Sequence, residues 1–274
     1  MNLFWAVFIL VVVVAPAVGA MLFVRRRAPE GSYFTDGDRA SGVFGVLATG
    51  FAIFAGFVIF LAFTSYDQSR SGAEAEALVV VQQFETAQFL PVNVRSRLTG
   101  ELTCYGRSVV RQEWPAMEDG TAGNTINPWS LALFTSLKHA KPTTSAEDAA
   151  YGKWLDQTTD REEGRRDRLH GAAGIIPTSI WIVLFFTAGV VFAYMLFFAD
   201  SGEGAVSQAM LIGSATAVVT VTLLAIHALD NPYRPGVGSL RPVAMERSLV
   251  LLGQARNAVH DTAPLPCDAN GKRR

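Results

Sequence analysis

The sequence predicts an all-α, polytopic membrane protein, with four transmembrane helices and a helical extramembrane domain between the second and third. Three observations predict this. Half of the 274 residues are hydrophobic and only 17% are charged, below the roughly one quarter of a soluble domain. The apolar residues gather into four blocks, each long enough for a bilayer that needs about 20 residues per helix. No β-alternation of useful length interrupts the helical periodicities elsewhere. A net charge of −1 gives a nucleic-acid partner no electrostatic support; the partner this composition calls for is the lipid bilayer.

The first span, Leu3–Val24, ends at Arg25, Arg26 and Arg27. Small residues around Ala20 resemble a signal cleavage site. The start carries no positive charge, however, and the apolar run continues to the arginines, so a retained helix is expected. The second span is Gly42–Tyr66, the third Ile175–Ala199 and the fourth Ala205–Leu229. The organisation expected is a transmembrane hairpin over 1–66, a helical domain over 67–174, a second hairpin over 175–229, and a C-terminal helix with a disordered tail over 230–274.

Within the second span, Gly45, Thr49, Ala52 and Gly56 recur at steps of four, three and four, a small-residue face that lets helices approach closely. Phe54, Phe57 and Phe60 lie among further phenylalanines. In a symmetric oligomer such residues form rings, a hydrophobic constriction that gates by dewetting; otherwise they face lipid or the helix bundle. The fourth span carries a hydroxyl stripe that includes Thr216 and Thr220, suited to helix packing or to a wet path.

Asp67–Leu90 lacks a helix breaker after Gly72 and extends the second span beyond the membrane until Pro91. In Val92–Met117, Leu98, Leu102, Tyr105, Val109 and Ala116 recur at helical steps, and Pro115 then kinks or breaks the backbone. A turn-rich stretch, Glu118–Pro128, follows. Helical patterns resume over Trp129–His139 and Ala146–His170. The last contains the charge run DREEGRRDRLH, expected to be a solvated face. Val243–Val259 reads as a final amphipathic helix. Asp230 and Arg234, four apart, suggest a local ion pair after the fourth span.

Catalytic and metal chemistry find no foothold. There is no GxSxG, HExxH or phosphate-cradling glycine loop. Cys104, Cys267 and four scattered histidines show no metal-ligand spacing, so no metal and no cofactor are expected. The two cysteines are expected unbridged on a cytoplasmic face, and free to pair on an external one. Arg165, Arg166 and Arg168 before the third span, with Arg234 and Arg241 after the fourth, place the domain and both termini in the cytoplasm by the positive-inside rule; Arg25–Arg27 argue the opposite.

Two segments go beyond pattern. YGRSVVRQEWPAM, from Tyr105 to Met117, resembles the Tyr-x-x-x-Val-x-x-x-Glu-Trp-Pro-x-Met signature of the bestrophin-like domain family of bacterial and plant membrane proteins. ALDNPYRPG after the fourth span is similar to that family's Leu-Asp-x-Pro-Phe element, and EAEAL after the second to its Glu-Ala-x-x-Leu stretch. Carried over residue by residue, the signature marks Glu74, Tyr105, Glu113, Trp114, Pro115, Asp230 and Pro232 as structural positions. The resemblance implies a bestrophin-like assembly: an oligomer, pentameric as in bestrophins, in a bacterial inner membrane. It would form an ion channel, anion-selective and lined by the second span, rather than an enzyme. A non-conducting scaffold or accessory subunit with a membrane-protein partner is the alternative. No calcium-binding acidic cluster is visible in the tail.

Overall fold

The computed structural model describes residues 3–121 and 126–274; residues 122–125 of the turn-rich stretch lie outside them. Among the described residues there are nine α-helices and no β-strand. They are α1 (Leu3–Arg25), α2 (Gly37–Ala87), α3 (Val92–Ser108), α4 (Trp114–Glu118), α5 (Pro128–Leu137), α6 (Ser145–His170), α7 (Thr178–Leu196), α8 (Ala205–Asp230) and α9 (Val243–Ala258). A π-helical segment, Val109–Glu113, joins α3 to α4. Helices α1, α2, α7 and α8 are long and apolar enough to cross a membrane, and the chain itself covers little of their apolar surface.

The 51-residue α2 is the second span and its extension in one helix. Its buried face recurs at steps of four and three, through Phe51, Ala55, Val58 and Ala62, then Ser65, Ser69, Gly72 and Glu76. The buried face is therefore apolar along the span, turns polar over Ser65–Glu76, and is largely apolar again through Val80, Phe84 and Ala87.

The chain forms two compact units. The first comprises Met1–Thr64, Ile175–Asp230 and Pro235–Gly238. Its closest pairing is α1 along α8, the first span against the last, rather than either sequential hairpin. Gly213 makes this possible, since a methyl there would lie 3.4 Å from Val18 and 3.9 Å from Val14. The Thr216 hydroxyl is buried without a hydrogen-bond partner among the described residues, but two others of α8 turn back on their own helix: Thr220 donates to the Thr216 carbonyl and Thr222 to that of Val218. This back-bonding satisfies them without a neighbouring helix. Asp230 does not make the expected pair with Arg234. Its carboxylate accepts from the backbone N–H groups of Ile175 and Ile176, at 2.8 and 2.9 Å, and fixes the turn into α7.

The second unit comprises Ser65–Gly174, Asn231–Arg234 and Ser239–Arg274. Its core is built from Leu98, Leu102, Tyr105, Trp129, Leu133 and Trp154, all essentially inaccessible. Asn127 caps α5 by accepting from the Trp129 N–H, with Pro128 following at a position where a missing N–H costs nothing. Thr144 and Glu147 form a reciprocal capping box at the start of α6.

Two expectations fail in this unit. The C-terminal tail is ordered, and the cysteines are bridged: Cys104 of α3 is disulfide-bonded to Cys267. Trp129 Nε1 donates to the Gly271 carbonyl at 2.7 Å, Arg107 to that of Asp268 at 3.0 Å and Gln112 to that of Asn270 at 2.7 Å. Gly271, at φ +75°, passes so close to Ser108 that a methyl would sit 2.5 Å from its backbone nitrogen. Polar termini are disordered unless something ties them down, and here α3, the π-helical segment and α5 supply the donors.

Candidate functional site

Two features stand out, each contained in one unit. The first is a cluster of buried charges assembled from four helical segments. Arg168 of α6 is wholly inaccessible. Its Nε donates to Glu76 Oε2 at 2.5 Å and its Nη2 to Glu76 Oε1 at 3.1 Å, a fork-on-carboxylate pair. The same Nη2 reaches Glu113 Oε2 at 2.6 Å. Tyr105 donates its hydroxyl to Glu76 Oε1 at 2.5 Å. Asn127 and Arg165 both donate to Glu113 Oε1, at 2.7 and 3.4 Å. Two carboxylates thus face two guanidiniums, and the charge closes locally.

Close backbone contact delivers these groups. Helices α2 and α6 touch through Gly72 and Gly164; a methyl on Gly72 would lie 2.6 Å from Arg168 N, and one on Gly164 2.8 Å from Glu76 N. That contact sets Arg168 against Glu76. Glu113 arrives by another device. Pro115 offers no N–H, and its ring would crowd the carbonyl four residues back in an α-helix. The chain widens to π geometry instead of breaking, so Trp114 N–H bonds to the Val109 carbonyl. Glu113 and Trp114 thereby both point inward. Tyr233 completes the cluster: its ring meets Trp114 edge-on at 5.4 Å, and its hydroxyl donates to the Arg168 carbonyl.

The electrostatics hold each group in one state. Burial alone would raise the pKa of Glu113, but the guanidiniums of Arg168 and Arg165, with hydrogen bonds from Arg168 and Asn127, hold it below the ordinary carboxylate value. Burial, then the Glu76 charge, pushes the Tyr105 phenol well above its usual range. Burial would lower Arg168, yet Glu76 and Glu113 raise it well above its usual value. None of the three exchanges a proton near neutral pH. The cavity touching Glu76, Arg168 and Trp114 holds about 10 Å³, room for one water at most, whereas ligand pockets run to several hundred Å³. The arrangement can clamp helices; it offers a substrate no space.

Sequence reasoning found part of this. Tyr105, Glu113 and Trp114 converge as a group, while Pro115 is exposed and acts through the backbone. Pro232 is buried and packs at Gly171. Glu74 stands apart, in an exposed pair with Arg70, and the buried carboxylate is Glu76, two residues on. Arg168, Tyr233 and Arg161, whose guanidinium lies 4.9 Å over the Tyr105 ring, went unnoticed as site residues. The run DREEGRRDRLH is not a solvated face throughout: Arg161, Gly164 and Arg168 are buried. A signal was present, because Trp154, Gln157, Arg161, Gly164 and Arg168 recur at steps of three and four.

The second feature is the outward side of α2 in the first unit. Phe57 and Phe60 are 66% and 65% exposed, facing away from Ala55, Val58 and Ala62. Phe54 is half-buried and packs on the cluster that includes Leu184 and Ile226. Gly45, Thr49, Ala52 and Gly56 are all exposed, and a methyl on Gly45 or Gly56 would meet nothing within 4 Å. Between α2 and α8 runs a groove of about 980 Å³, with Ala52 and Gly56 on one wall and Ser214 and Thr222 on the other.

The same arrangement of helices occurs in known structures. A bacterial bestrophin homologue from Klebsiella pneumoniae superposes with a TM-score of 0.67 at 15% identity, over 92% of this chain and 99% of that one. A point mutant of the Klebsiella pneumoniae homologue gives 0.66 at 14%, over 92% and 98%. A further crystal structure, of a membrane protein with a single alanine substitution, gives 0.64 at 13%, over 96% and 99%. At such identities the likeness is one of fold. No curated protein matches the sequence. The Bestrophin-like domain family matches residues 11–245, a stretch that holds most of α1, the other three spans, the Glu-Trp-Pro segment and the buried charge cluster, and the chain therefore belongs to that family.

Proposed function

We propose that the protein is an ion channel built by a homo-oligomer, pentameric as in bestrophins, with α2 of each copy around a shared axis. The observation that carries this reading is the outward face of α2. Phe57 and Phe60 are exposed there beside the unoccupied small-residue face of Gly45, Thr49, Ala52 and Gly56. In a ring, the small residues let neighbouring helices approach and the phenylalanines close a dewetted constriction. Anion selectivity and a place in a bacterial plasma membrane are supported by the resemblance to bestrophins. An enzymatic role has no support from the buried cluster, where the adjoining cavity of about 10 Å³ takes no substrate.

Purified protein in planar bilayers under a chloride gradient tests the proposal. Discrete currents reversing near the chloride potential are expected, together with a native mass of several copies. A monomer, or an oligomer that passes no current across voltage and salt, would leave the non-conducting scaffold as the better reading.

A further inference from the structure

Cys104 and Cys267 are both fully buried and bonded to each other where the tail lies on α3. Disulfides persist in oxidising compartments and are rare in the reducing cytosol. The bridge therefore carries information about which side of the membrane the domain occupies.

The arginines, reconsidered with their partners, carry the same information. The cytoplasmic expectation rested on Arg165, Arg166 and Arg168, with Arg234 and Arg241. Arg168 is enclosed between Glu76 and Glu113, and Arg165 pairs with Glu113. Those two charges are neutralised inside the domain, which leaves only Arg166, Arg234 and Arg241 of that set exposed. In the short connection between α1 and α2 the arginines are not enclosed between carboxylates as Arg168 is. Arg26 and Arg27 are exposed there, flanked by Arg25 and Arg39. The connection between α7 and α8, on the same side, carries no basic residue to oppose or reinforce them.

From these two independent features we infer that the helical domain and both termini face the oxidising, extracytoplasmic side of the membrane. The arginine-rich connection between α1 and α2 then faces the cytoplasm. Closing the bridge takes two electrons and two protons from the thiols of Cys104 and Cys267. The acceptor is a disulfide-bearing oxidant of that compartment, which departs as a dithiol. The bridge then locks the last residues of the chain onto α3, where a cytoplasmic domain would have to hold them by hydrogen bonds alone.

Single cysteines at exposed positions, Lys153→Cys in α6 and Glu30→Cys between α1 and α2, disturb no buried contact and report the side directly. In spheroplasts expressing the full chain, a membrane-impermeant maleimide is expected to label Lys153→Cys before lysis and Glu30→Cys only after it. The unsubstituted protein, denatured and alkylated, is expected to show two free thiols after reduction and none before. Labelling of Glu30→Cys first, or alkylation of Cys104 and Cys267 without reductant, would overturn the inference.

Discussion

Arg168 holds two carboxylates with one guanidinium, so losing its side chain affects both at once. Arg168→Met leaves Glu76 and Glu113 short of a partner in a dry site. Breaking a buried pair in this way costs about 3–5 kcal/mol, and the variant is expected to unfold at a correspondingly lower temperature by circular dichroism. Arg168→Lys keeps the charge but loses the two-pronged geometry and is expected to recover only part of that. Glu113 makes the cluster acid-sensitive. Its folded-state pKa is depressed, so its contribution is complete above the unfolded carboxylate value of about 4.3. It is lost as pH falls through the lower folded value. Thermal unfolding followed from pH 7 downward should therefore hold steady until about pH 4 and then decline, with a shallower acid decline in Glu113→Gln. A decline beginning between pH 7 and 5 would contradict this. Tyr105, Glu113 and Trp114 were legible because a rare motif carries them. Glu76 and Arg168 were hidden for a physical reason: charges are buried only when paired, and the sequence does not display a partner 92 positions away.

Longer segments were easier to read. Absence of helix breakers foretold that α2 runs on past the span, and apolar periodicity placed α3, α5, α6 and α9 within a few residues. What periodicity could not convey is how Pro115 is absorbed. Proline reads as a stop or a kink, and only the neighbouring packing makes a π turn the less strained solution. Likewise, Gly72 and Gly164 look like weak points in their helices until the helices are seen in contact. Gly164→Ala would force α6 away from α2, because its methyl would lie 2.8 Å from Glu76 N and 3.1 Å from the Gly72 carbonyl. Overpacking of this kind costs about 1–3 kcal/mol. A loss near the upper end is expected, since the same shift pulls Arg168 off Glu76; Gly152→Ala, with open space around it, serves as the control and should be neutral or slightly stabilising.

The four spans and the intervening domain follow from hydropathy alone, and the order of motifs pointed to the family. Pairing between distant parts was less visible: α1 lies on α8, and the tail returns to α3 across 163 positions of sequence. A bridge over so long a loop contributes about 2–4 kcal/mol. Cys267→Ser is expected to release the tail to carboxypeptidase while leaving the helical content intact. Above the single chain, the account stands on what α2 faces once copies assemble. Phe57→Cys and Phe60→Cys channels, exposed to a charged, water-soluble thiosulfonate during bilayer recording, test this most directly, with Phe186→Cys on the 69%-exposed surface of α7 as the lipid-facing reference. A pore lined by α2 requires that the reagent change the current at residues 57 and 60 and not at 186; silence at both α2 positions, or an equal response at 186, would contradict it.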